Sequence, residues 1–148
     1  MCIRDRFFNA SAFNQEVTFD DTSSVTNMSK MFAMAGAFNQ NVEFKTSNVT
    51  DMSGMFSGAR AFNQEVTFDD TSSVTNMSGM FAMAESFDKN VRFNTQNVTD
   101  MSMMFKCAIA FNQEVNFNTS SVTNMKQMFY GASAFNQDVF LIPKMLLI

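Results

Sequence analysis

Met28-Ser29-Lys30-Met31-Phe32-Ala33-Met34-Ala35 is the stretch on which the fold turns. Its apolar residues Met28, Met31, Phe32 and Ala35 fall at i, i+3, i+4 and i+7, the spacing of one helical face. Thr26 or Asn27 precedes it as an N-cap, and Asp51 and Asp100 fill the same place in later copies. A carboxylate there also suits the positive end of a helix dipole. Gly58 and Gly131 stand where such a helix would end. The spacing predicts a helix of about two to three turns, too short to be stable without neighbours.

Neighbours are supplied by repetition. Phe-Asn-Gln occurs at Phe13, Phe38, Phe62, Phe111 and Phe135, with Phe87-Asp88-Lys89 as the variant copy, so the steps are 25, 24, 25, 24 and 24 residues. Val-Thr-(Asn/Asp)-Met keeps step at Val25, Val49, Val74, Val98 and Val122, and Met-Phe follows from Met31 to Met128. Three locked registers define a tandem repeat. Residues 13–35 and 62–84 differ only at Lys30 against Gly79, the mark of a duplicated two-repeat block. The shorter copies lack one residue near Asp20-Asp21 or Asp69-Asp70, where a turn absorbs length changes at little cost.

Upstream of each Val-Thr motif, Gln15-Glu16-Val17-Thr18-Phe19 alternates polar and apolar in the period of a short strand. Residues 41–44, 65–68 and 114–117 repeat that pattern. Polar Asp-Thr-Ser-Ser or Lys-Thr-Ser-Asn turns follow. The expected fold is therefore an α/β repeat solenoid of leucine-rich-repeat proportions, with one short strand and one short helix per 24–25-residue coil. Its units start at residues 13, 38, 62, 87, 111 and 135, and the array spans residues 7–139. Residues 1–6 read as a non-repeat, foreign segment, and residues 140–148 as a non-repeat apolar tail.

Composition narrows the function. Nineteen Phe and fifteen Met accompany one Tyr, no Trp and no His, and Leu first appears at Leu141, so Phe and Met form the core. A net charge of −4 with scattered Lys45, Arg60 and Lys89 argues against nucleic acid, which needs clustered cations. Residues 1–6 lack the apolar region of a secretory signal, and the tail is too short and broken to enter a bilayer. Cys2 and Cys107 lie in no metal-ligand spacing, and Cys107 is expected as core filler.

Without His, the commonest general-base and nucleophile arrangements are missing, so no enzyme, cofactor or metal is expected. The adjacent carboxylates Asp20-Asp21 and Asp69-Asp70 read as solvated turns, with a weak Ca²⁺ contact or catalysis as the other readings. The row Asn14, Asn39, Asn63, Asn112 and Asn136, with Asp88 in sequence between, is either a side-chain ladder or a ligand-facing row. Two threonine rows, Thr22 to Thr119 and Thr26 to Thr123, are expected to make turn and capping bonds. Glycosylation sequons begin at Asn9, Asn27, Asn48, Asn76, Asn97 and Asn118, as an Asn/Ser/Thr-rich repeat generates automatically.

The run Phe38-Asn39-x-x-Val42, Thr46-Ser47-x-Val49-Thr50-x-Met52-x-x-Met55-Phe56-x-x-Ala59-x-x-Phe62-Asn63 resembles the BspA-like leucine-rich-repeat surface-protein family. Phe19, Phe44, Phe68, Phe93 and Phe117 stand where that family usually carries Trp. The resemblance implies an extracellular or cell-surface adhesion module that binds a protein or glycan, and it supplies no catalytic residues. A structural spacer is the alternative, and part of a hydrolase a distant third. End-to-end self-association through uncapped terminal coils is also expected.

Overall fold

A computed structural model describes Ile3 and residues 6–142. Four short strands are assigned: β1 Val42–Phe44, β2 Val66–Phe68, β3 Val115–Asn118 and β4 Val139–Ile142. β1 pairs with β2 and β3 with β4, both in parallel, with Val42 opposite Val66 and Val115 opposite Val139. Equivalent residues one repeat apart are therefore neighbours, and the repeats stack coil on coil. Single parallel bridges continue this order along Asn27, Asp51, Asn76, Asp100 and Asn124.

No helix occurs among the described residues, which overturns the α/β solenoid with a helix in every coil. The segment from Met28 to Phe38 is a staircase of tight turns. Met31 N–H donates to the Met28 carbonyl, Ala33 to Lys30, Ala35 to Phe32 and Phe38 to Ala35, at 3.0–3.3 Å. The intervening N–H groups leave the coil altogether: Met28, Lys30, Phe32 and Met34 donate to the carbonyls of Asp51, Ser53, Met55 and Ser57 at 2.7–2.9 Å. A helix satisfies its N–H groups four residues back; here half of them are committed to the next coil. Met28, Met31, Phe32 and Ala35 still face inward, because successive three-residue turns reproduce the helical spacing.

The staircase needs left-handed backbone twice per coil. Lys30, Gly54, Gly79, Met103 and Gln127 hold one such position, with φ between 55° and 60°. Met34, Gly58, Met83, Cys107 and Gly131 hold the other, with φ from 55° to 74°. Gly58 and Gly131 are thus turn residues, not helix ends. Asp51 and Asp100 cap no helix either; each accepts the N–H two residues on, from Ser53 and Ser102. Cys107, expected in the core, is half-buried, and Met34 is exposed.

Strand structure is also sparser than one per coil. Residues 15–19 and 91–93 are assigned no strand, and Phe19 at the first of these is exposed. The core compensates through side chains. Phe7, Phe32, Phe56, Phe81, Phe105 and Phe129 stack in one file, with centroids 5.2–5.6 Å apart. Phe13 to Phe135 form a second file at 5.8–6.0 Å. Within a coil the files touch, as at Phe56 and Phe62, 4.2 Å apart. Offset aromatic contacts of this kind add about 0.5–1.5 kcal/mol each beyond burial. Beside them Met28, Met52, Met77 and Met101 are fully buried. Ile3 joins that column: it is buried, and its N–H reaches the Asn27 carbonyl as Met28 reaches Asp51. The rest of residues 1–5, including Cys2, and residues 143–148 of the apolar tail lie outside the described residues.

Candidate functional site

The asparagine row is built by the turn that leaves each staircase. Asn14 Oδ1 accepts the Asn39 N–H at 2.9 Å, and Asn39 Oδ1 accepts the Asn63 N–H at 2.9 Å. Asn63 does the same for Asp88, Asp88 for Asn112, and Asn112 for Asn136. The glutamine beside each asparagine adds a second donor: Gln40, Gln64, Gln113 and Gln137 reach the same oxygen at 2.8–3.2 Å. Lys89 replaces that glutamine in the fourth copy, so Asn63 keeps the backbone donor alone of this pair. The side-chain oxygens of the five acceptors in this row are thus engaged in holding coil to coil.

Both threonine rows do similar work in different places. Thr22, Thr46, Thr71, Thr95 and Thr119 are buried. Thr22 donates to the Lys45 carbonyl and accepts the Lys45 N–H, closing a two-way bond between coils. Thr50, Thr75, Thr99 and Thr123 are exposed, and each hydroxyl donates to the carbonyl of the threonine one coil earlier. Asn27, at a sequon, spends its Oδ1 on the N–H and hydroxyl of Ser29.

The paired carboxylates are turn elements. Asp21 accepts the Ser23 N–H and hydroxyl at 2.9 and 2.8 Å, and Asp70 repeats this with Ser72. The Ser23 N–H and hydroxyl, with Lys45 nearby, hold the Asp21 carboxyl below its usual range. Asp69 accepts the Thr46 N–H from the preceding coil, the main reason its carboxyl is also held low. At Asp100 burial works against the charge, but Ser102 and then Asn124 outweigh it. No group of three or more metal-ligating Cys, Asp or Glu residues occurs among the described residues. No described helix is long and apolar enough to cross a membrane.

The geometry is that of one unit repeated by translation, and comparison with known families agrees. The family model described as Mycoplasma protein of unknown function, DUF285, matches residues 2–92 and again residues 65–142. The chain belongs to the DUF285 family. The two matches overlap over residues 65–92, as expected where the matched element repeats. No curated protein and no solved structure matches the chain.

Two surfaces of this DUF285 chain lie outside the asparagine and threonine rows. Outward residues of the strand segments, including Glu43, Glu65, Thr67, Arg92 and Glu114, line shallow depressions of about 340–460 Å³. On the staircase, a groove of about 310 Å³ runs over Gly54, Gly79 and Ala82, walled by Met83, Met103 and Cys107. The helical spacing concealed this second surface, since it assigned methionine to the core without separating the inward columns from the left-handed ones. The signal that could have found it is the column shared by Met34, Gly58, Met83, Cys107 and Gly131: glycine recurring where other copies carry Met marks a special backbone position.

Proposed function

We propose that this DUF285 chain is a non-catalytic scaffold that presents a protein- or glycan-binding surface outside the cell. One observation carries it. Inward residues of the strand segment hardly change between coils, at Val42, Val66, Val91 and Val115 and at Phe44, Phe68, Phe93 and Phe117. The outward residue between them reads Glu43, Thr67, Arg92 and Asn116, with Thr18 of the first coil matching Thr67. A rigid frame with a varied outer row is the pattern by which repeat proteins build extended recognition surfaces. The resemblance to BspA-like surface proteins supports the extracellular setting and the adhesive role.

A spacer, whose repeats set length alone, is the second reading. It is favoured by the near identity of residues 13–35 and 62–84, which leaves that pair of coils undiversified. Binding to immobilised glycans and to cell-surface proteins, followed by calorimetry, separates the two. The binding scaffold predicts a partner whose affinity falls at least about tenfold in a Glu65→Ala, Arg92→Ala, Glu114→Ala variant with unchanged Tm. No partner, or one indifferent to these changes, would favour the spacer.

A further inference from the structure

The duplicated block contains a natural experiment. Residues 13–35 and 62–84 are identical except that Lys30 is replaced by Gly79. Both residues hold the same left-handed backbone, with φ of 55° and 60°. The exchange therefore leaves the frame alone and changes only what stands above it. At position 30 the lysine stem lies across the next coil, its Cγ 3.4 Å from where a Gly54 side chain would begin. At position 79 a side chain would meet only Ala82, at 3.9 Å, so the space is open. The groove of about 310 Å³ on the staircase face lies over this open space and beside Gly54.

The groove has a distinct chemistry. Its floor is Gly54, Gly79 and Ala82, and the backbone beneath is bonded between coils, as Gly54 N–H to Ser78 and Gly79 N–H to Ser102 show. Met83 and Met103, about two-fifths exposed, form the walls with Cys107. All three hold left-handed φ, which costs a residue with a side chain roughly 1–2 kcal/mol relative to the right-handed form. Flexible thioethers at strained, exposed positions suit an adaptable apolar site better than a packed core. Lysine lines the groove at each end: Lys30 in one coil and Lys106 three coils on. Lys106 is anchored, with Nζ 3.1 Å from Gln127 Oε1 and 5.7 Å from the centre of the Tyr130 ring. No Asp or Glu lines the groove among the described residues, although the chain as a whole carries a net charge of −4.

We propose that this groove binds an anionic amphiphile of the fatty-acid class, its tail laid over Gly79 and Ala82 between Met83 and Met103 and its carboxylate held by Lys30. Coils in register lie about 4.8 Å apart, so three steps give a groove of roughly 14 Å, enough for a medium-length alkyl chain. Concave, mostly apolar space with a few polar groups at its rim is the usual form of a small-ligand site.

Calorimetry with dodecanoate and dodecyltrimethylammonium, both kept below micelle formation, tests this on the whole chain. The two probes share a tail and differ in the sign of the head. The wild type should bind dodecanoate about tenfold or more tightly than the ammonium probe. Gly79→Lys, which copies Lys30 into an otherwise identical block, should still fold, with a Tm lowered by the left-handed strain that Lys30 already bears, and lose dodecanoate binding about tenfold or more. Lys30→Gly, which copies Gly79 in return, should lower dodecanoate affinity while leaving the ammonium probe unchanged. Equal affinity for the two heads, undiminished binding in folded Gly79→Lys, or no dodecanoate binding at all would overturn the proposal.

Discussion

The staircase and the strand face of each coil come from the same repeat, yet they are held together differently. On the staircase, coil is joined to coil chiefly by backbone, as Phe32 N–H to Met55, Phe56 to Met80 and Phe81 to Met104. On the other face strand pairing comes and goes, and side chains take over: Asn39 Oδ1 for Asn63, Thr22 for Lys45, Asp69 for Thr46. The length changes fall on this second face, beside Asp20 and Asp69. A backbone frame cannot absorb an added residue without losing register, whereas a side-chain link can be remade. The regular face therefore sets the stack, and the irregular one is free to vary.

The widest gap between the two faces should appear in the phenylalanine files. Phe56 is fully buried between Phe32 and Phe81, so Phe56→Ala should cost about 3–5 kcal/mol in denaturant unfolding. Phe19 is exposed on the irregular face, and Phe19→Ala should cost about 1 kcal/mol or less. Similar losses at both sites would mean that the core does not follow the staircase.

A smaller contrast concerns backbone shape. Gly58→Ala must place a side chain at a φ of 72°, 2.5 Å from the Met34 sulfur. Left-handed strain alone predicts about 1–2 kcal/mol, with more from displacing Met34. Thr67→Ala, outward on β2, should stay within about 0.5 kcal/mol. Thermal unfolding of the two variants sharpens the comparison, and a harmless Gly58→Ala would break it.

The smallest effect is expected in acid. Asp69 has a folded pKa below its unfolded one, chiefly through the Thr46 N–H. Its contribution is therefore complete above the ordinary carboxylate range and is lost as pH falls through the lowered folded value. Tm should decline below about pH 4, and Asp69→Asn, which keeps an acceptor but cannot titrate, should make that decline shallower. An unchanged acid slope would show that this link between coils carries no charge-dependent stability.

Much of this was legible in the sequence, and the failures have a common cause. The repeat, its register and the inward Val, Phe and Met columns follow from spacing alone. The helix did not follow, because Met28, Met31, Phe32 and Ala35 point inward in a staircase of three-residue turns as well as in a helix. Gly54 and Gly58, four residues apart inside the supposed helix, were the contrary evidence, since glycine costs about 1 kcal/mol at each interior helical position. Read as one end of a helix, Gly58 hid a demand for positive φ recurring in every coil. The Asn14 row is visible in sequence, but which donors meet its oxygens depends on how coils stack, and spacing along one chain does not carry that. Lys30 against Gly79 was visible as a difference; its meaning required knowing that position 79 has open space above it.

The central claim is that alternate N–H groups from Met28 to Met34 are bonded to the next coil, and those between them close three-residue turns instead of a helix. Through-hydrogen-bond scalar couplings, measured by NMR on isotope-labelled protein, test it directly. Coupling should be seen from Phe32 N–H to the Met55 carbonyl and from Phe56 N–H to the Met80 carbonyl, with left-handed backbone shifts at Lys30 and Met34. Coupling from Phe32 N–H to the Met28 carbonyl, with helical shifts through Ala35, would contradict it.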